Sequence, residues 1–367
     1  MTQNTIARTG AFLRRRDSQS LQGIAILMMI FHHCFCIPDR LGSNYISVWG
    51  SFVPETKIAA LCKLCVAFFV FVSGYGMARA SRKNHENRPI ARLRAALRKS
   101  FKQLVRLYAI FWLVCLIFIP MGLLFFHLRP SPRELIKAVT LGMGISMEWW
   151  YILQYLGFMA AYPLLDLLTQ PLAHSAASPA RKTGAAALLV LFIGQFWALL
   201  PLYHRFFCSG FPEYMILFSL AYLIGRFRVY EQLAARLRLP GLCCALCIAA
   251  LLALRWFWAK EPGQCDCDIF IAPLLLFALV EWMRAPFFEA RLAPAARFLG
   301  KYSTFIWLSH TFWIYYYFQP VVLLPRYSIL IYLWSVLLSL LTAMALSWIY
   351  GRCVEKGVRK ITARLEM

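Results

Sequence analysis

Leu21-Gln22-Gly23-Ile24-Ala25-Ile26-Leu27-Met28-Met29-Ile30-Phe31-His32-His33-Cys34-Phe35-Cys36-Ile37 is the stretch whose reading decides the fold. It is long and apolar enough to enter a bilayer as a helix. Yet it carries Gln22 near one end and two histidines near the other. Ionisable groups in hydrocarbon are costly, and they commonly face a cavity or a partner. Gln22 and His33 are eleven positions apart. At about 100° per residue that spacing returns them to one helix face, roughly 16 Å apart along the axis. His32 points about a quarter turn away. The stretch predicts a membrane helix with a polar face turned to a shared interior.

The rest of the chain agrees. Its 367 residues are 61% hydrophobic, with a mean hydropathy of +0.61. The pattern predicts an all-α, polytopic bundle of about ten transmembrane helices, near 20–37, 57–78, 104–126, 149–170, 184–203, 212–229, 240–258, 268–285, 302–319 and 328–350. The formal net charge of +23 resembles a nucleic-acid signal. The bases instead gather in alternate loops, as the positive-inside rule requires, so membrane lipids and not nucleic acid are the expected charged partners. Arg8, Arg14, Arg15 and Arg16 precede the first span, and Arg79, Arg82, Lys83, Arg88, Arg92, Arg94, Arg98, Lys99, Lys102 and Arg106 follow the second. Arg352, Lys356, Arg359, Lys360 and Arg364 follow the last, while Asp39, Glu55, Glu148, Glu213, Asp266 and Asp268 lie in the opposite loops. Both termini are therefore expected in the cytoplasm, with no cleavable signal peptide. Residues 79–103 have the spacing of an amphipathic helix lying on the inner leaflet.

Twelve cysteines lie mostly in apolar segments. Cys62 with Cys65, and Cys243, Cys244 and Cys247, have metal-like spacing but no converging histidine, so no metal is expected. Cys265 and Cys267 fall in an outer loop, where a disulfide to Cys208 or Cys36 stays open.

Several segments can carry chemistry. A neutral imidazole at His33 can act as a base or be acylated, and His310, in Leu308-Ser309-His310, is a third intramembrane histidine. The plainer reading is a histidine bonded to a backbone carbonyl. Phe68-Phe69-Val70-Phe71-Val72-Ser73-Gly74-Tyr75-Gly76 ends an apolar helix in small residues and a hydroxyl. Lys99 to Arg106 suits either lipid headgroups or the phosphates of a nucleotide-bearing donor. Trp149-Trp150-Tyr151 reads as an interfacial aromatic belt or as a platform for a sugar. Lys63 is expected to snorkel out to the interface.

Taken in order, these pieces resemble the acyltransferase-3 family of integral-membrane acyltransferases. Gln22 through His33 resembles that family's basic residue, ten positions, then histidine, with glutamine standing where Arg or Lys is usual. Phe68-Phe69 with Ser73-Gly74, Arg106-Leu107-Tyr108 with Trp112, Trp150-Tyr151 with Tyr162-Pro163-Leu164-Leu165, and Gly300 through Ser303 to His310 resemble its later segments. The resemblance implies a transmembrane acyltransferase-like domain over 18–352 between basic cytoplasmic tails at 1–17 and 353–367. It implies a cell inner or plasma membrane location, acyl-CoA as co-substrate, no permanently bound cofactor, and transfer to a hydroxyl of a surface glycan or lipid-linked sugar. It further implies a catalytic His33, a donor site near Gln22, Ser73, Arg79 and Arg106, and acceptor contacts at Trp150 and Tyr151. His32 and His310 are further candidates. A proton-coupled transporter or flippase using the same polar groups is the alternative, and a glycan-assembly scaffold is a third.

Overall fold

The computed structural model describes residues 12–41, 45–51, 53–84, 86, 88–174, 176–179, 181–186, 211–237, 239–258 and 266–365. Among them the regular structure is helical, and the only strand-like pairing is an isolated bridge between Ile46 and Tyr327. The helices follow in chain order as α1 (Arg15–Phe35), α2 (Val53–Cys62), α3 (Leu64–Arg82), α4 (Pro89–Phe125), α5 (Pro132–Leu141), α6 (Tyr151–His174), α7 (Phe211–Arg226) and α8 (Val229–Leu237). Then come α9 (Gly241–Trp258), α10 (Asp268–Met283), α11 (Pro286–Arg291), α12 (Ala293–Lys301), α13 (Ser303–Thr311), α14 (Gln319–Leu323), α15 (Ser328–Ile349) and α16 (Glu355–Arg364). Helices are the expected solution where lipid offers no hydrogen bonds to the backbone.

Five helical stretches among the described residues are long and apolar enough to cross a membrane: Val53–Arg82, Pro89–Phe125, Met147–Leu172, Gly241–Trp258 and Ser328–Arg364. The span expected at 184–203 lies largely outside the described residues, as do Cys208 and Cys265. Cys36 and Cys267 are free thiols.

Close backbone approach fixes the position of α1. It packs along α12, and each helix brings a glycine to the contact. A Cβ on Gly23 would strike the Ala296 carbonyl, and one on Gly300 would strike the carbonyl of Gln19. Gly74 does the same for α3 against α7, where a Cβ would meet the Phe218 carbonyl. Small residues at helix crossings are the usual device in membranes, where apolar side chains alone do not drive helices together.

One sequence expectation needs correction. The basic segment 79–103 is not a separate surface helix. Pro89 starts α4 at its first turn, and the helix runs on as one piece through Phe125. Its Arg92 is buried rather than lipid-facing. It donates to Asp166 Oδ1 at 2.7 Å and to Ser81 Oγ at 3.3 Å, while Tyr222 donates to Asp166 at 3.1 Å. This knot joins α3, α4, α6 and α7.

From Phe12 onward the N-terminal segment packs against the bundle. Phe12 stacks on Phe277 at 5.1 Å, with the Arg284 guanidinium 4.6 Å from its ring. Its N–H donates to Glu231 at 3.2 Å. Paired charges, Glu231 and Asp17 against Arg82 and Arg284, let this basic stretch fold inward. At the other end, α15 continues through a π-helical turn, Tyr350–Val354, into α16, which packs on α4.

Candidate functional site

One cavity of about 270 Å³ collects the polar face of α1. Gln22, Met29, His32 and His33 line it from α1, and Ser73 lines it from α3. Gln103 and Arg106 of α4 reach it, as do Trp150, Tyr151 and Tyr155 around the start of α6. Ser303 and Trp307 of α13 close another side, and Glu148 and Lys63 complete it. The eleven-residue spacing of Gln22 and His33 places both on this one wall.

The three histidines cluster. The His33 ring centroid is 5.0 Å from that of His32 and 5.0 Å from that of His310. His32 Nδ1 lies 2.7 Å from the Ala59 carbonyl oxygen. A carbonyl only accepts, so His32 carries its hydrogen on Nδ1 and keeps the lone pair on Nε2. His310 is arranged alike, with Nδ1 3.0 Å and 2.9 Å from the Ile306 and Trp307 carbonyls. Its buried Nε2 has no partner among the described residues. His33 differs: its Nδ1 lies 2.6 Å from the hydroxyl of Tyr315.

Tyr315 reaches His33 because the backbone after α13 widens into a π-helical segment, Phe312–Tyr316. Such segments re-aim side chains and recur at functional sites. Next along, the Tyr316 hydroxyl donates to Glu148 Oε2 at 2.9 Å. Trp307 Nε1 donates to the Glu148 carbonyl at 3.2 Å.

Lys63, expected at the interface, is half-buried at the cavity. The helix expected over 57–78 breaks there, between α2 and α3. Its N–H turns to the Ala60 carbonyl at 3.2 Å, and the Ala59 carbonyl takes its hydrogen bond from His32. Arg255, paired with Asp268 at 2.8 Å, donates to the Ala60 carbonyl at 3.0 Å. With the turn held in this way, the Lys63 ammonium comes 5.9 Å from the Trp150 ring and the side chain lines the cavity.

A family model described as an acyltransferase domain, that of acyltransferase family 3, matches residues 17–352. The chain belongs to the acyltransferase-3 family. No curated protein and no solved structure matches it. Membership makes the protein a membrane acyltransferase and the histidine-lined cavity the candidate site of acyl transfer.

Of the residues singled out in the sequence of this acyltransferase, Gln22, His32, His33, Ser73, Arg106, Trp150 and Tyr151 meet at the cavity. Arg79 does not line it. Its Nη1 donates to the Leu13 carbonyl at 3.1 Å and so pins the N-terminal segment. His310 is fully buried behind His33 instead of lining the cavity. Sequence reasoning did not single out Tyr315, and it placed Glu148 only in an outer loop. Among the described residues no group of three His, Cys, Asp or Glu side chains is placed to hold a metal.

Proposed function

We propose that this protein is an integral-membrane O-acyltransferase. It moves an acyl group, with acetyl as the first candidate, from cytoplasmic acyl-CoA to a hydroxyl of a surface glycan or its lipid-linked precursor. The observation that carries this reading is the shared cavity, with Gln22 and Arg106 on its wall together with His33 and Trp150.

The alternation of basic and acidic loops supports the orientation with both termini cytoplasmic, and the ten spans are assigned to a cell inner or plasma membrane. In that orientation Arg106 and the bases of the first half of α4 other than the buried Arg92 meet the donor phosphates. The acyl end passes Gln22 and Ser73 toward His33. Arg79, engaged by the Leu13 carbonyl, is left out of the donor site. The acceptor approaches from the outer side over Trp150 and Tyr151.

His33 acts as general base. The acceptor oxygen bonds to the thioester carbon, and its proton passes to His33 Nε2. The C–S bond then breaks, and the departing thiolate takes that proton as CoA-SH. The deciding experiment compares surface and lipid-linked glycans from cells with the wild-type chain, with His33→Ala and with neither, by mass spectrometry. An acyl increment made only by the wild type is expected. Identical glycans, together with proton-driven uptake by protein that ignores acetyl-CoA, would replace this reading with transport.

A further inference from the structure

We propose that Lys63 is a catalytic electrophile of this site. Its ammonium holds the oxyanion that forms on the acyl carbonyl when the acceptor oxygen adds. The inference rests on the acyl-transfer reading and deepens it.

A cation inside a membrane span needs a reason, because its burial is costly and the side chain is long enough to reach water. Lys63 lines the cavity instead. Among the described residues its ammonium makes no ion pair or hydrogen bond; its one contact of this kind is the Trp150 ring at 5.9 Å. It shares the cavity wall with both His32 and His33. The half-buried charge therefore stands without a counter-ion in the same cavity as the base, where an ion's field is less screened than in open water.

The fold also devotes buried groups to the turn that carries Lys63. His32 holds the Ala59 carbonyl at 2.7 Å, and Arg255 holds the next carbonyl, Ala60, at 3.0 Å. Arg255 is fixed in turn by Asp268, with both side chains 1% exposed. Side chains from α1, α9 and α10 thus meet at one helix break. A preorganised donor aimed at developing charge is the device that stabilises a tetrahedral intermediate.

The chemistry balances without another reactant. The acceptor oxygen forms its bond to the carbonyl carbon as His33 takes the proton. The carbonyl π pair moves to oxygen, opposite the Lys63 ammonium. Collapse restores the carbonyl and expels the thiolate, which His33 reprotonates.

The test uses inside-out membrane vesicles containing the full chain and radiolabelled acetyl-CoA, with label incorporation into endogenous glycan acceptors measured per mole of protein. Lys63→Met is expected to lower kcat about a hundredfold or more, the usual loss for one oxyanion donor. The KM for acetyl-CoA should hold within about twofold, the pattern of an interaction made only in the transition state. Lys63→Arg should recover part of the rate. If Lys63→Met does not accumulate, Lys63→Gln carries the same comparison. Undiminished kcat in the uncharged variant, or a loss confined to KM, overturns the proposal while wild-type transfer keeps the acyltransferase reading intact. Wild-type vesicles that transfer nothing overturn both.

Discussion

Nδ1 of His33 and the phenolic oxygen of Tyr315 stand 2.6 Å apart, which gives the candidate base an orienting partner from a different helix. For Nε2 to accept a proton, the ring hydrogen must sit on Nδ1, and in that tautomer the Tyr315 hydroxyl is the group that accepts it. Tyr315→Phe keeps the ring but removes the acceptor. We expect it to lower the transfer rate about tenfold, equivalent to ~1.4 kcal/mol at the transition state. His33→Ala is expected to lose the general-base contribution, about 10²–10⁴-fold. The double variant should be no slower than His33→Ala alone, because the tyrosine acts through the histidine. Losses that multiply would show Tyr315 working elsewhere.

Arg92 and Asp166 are joined at 2.7 Å with side chains 2% and 0% exposed, and Ser81 and Tyr222 close around them. Removing one member leaves a buried charge without its counter-ion. Arg92→Met or Asp166→Leu alone is expected to destabilise the fold by about 3–5 kcal/mol. The paired change Arg92→Met with Asp166→Leu should recover most of that loss, since an apolar pair leaves no stranded charge. Thermal unfolding in detergent micelles measures both. A double variant as unstable as the singles would contradict this assignment.

Much of the site was legible because its signal is periodic. Gln22 and His33 share a face by spacing alone, and the apolar runs around Ser73 and Trp150 place those residues on helices that line the same space. Lys63, Arg92 and Tyr315 were not legible, each for a physical reason. The break at Lys63 contains neither proline nor glycine; it is stabilised by His32 and Arg255, groups distant in the chain. Arg92 sits in a run of bases that composition assigns to lipid, and only the approach of Asp166 from α6 makes its burial tolerable. Tyr315 needs a π-helical turn, which no residue of Phe312-Trp313-Ile314-Tyr315-Tyr316 announces.

The crossing of α1 and α12 gives a third prediction. Gly23 faces the Ala296 carbonyl and Gly300 faces that of Gln19, so neither position has room for a methyl group. Gly23→Ala or Gly300→Ala must push the helices apart, at an overpacking cost of about 1–3 kcal/mol. Because α1 carries Gln22 and His33, activity should fall along with melting temperature. Gly76, with nothing within 4 Å of an added Cβ, is the control, and Gly76→Ala should leave both unchanged. Equal tolerance at all three positions would mean that α1 is not held by this contact.

Trp150 supplies the last test. Its ring lies 5.9 Å from that of Tyr214, nearly parallel at 22°, and borders the cavity beside Lys63. Tyr214 thus braces the indole as a fixed apolar platform for the C–H face of a sugar. Aromatic contacts of this kind contribute about 0.5–1.5 kcal/mol. Trp150→Ala is therefore expected to raise the half-saturating concentration of added lipid-linked glycan several-fold while sparing kcat at saturation. Trp150→Phe, which keeps a ring, should lie between. The split separates acceptor binding from chemistry, since loss of ground-state binding raises KM alone. A fall in kcat with unchanged acceptor saturation would remove Trp150 from the acceptor site and assign the ring to holding Lys63 in place.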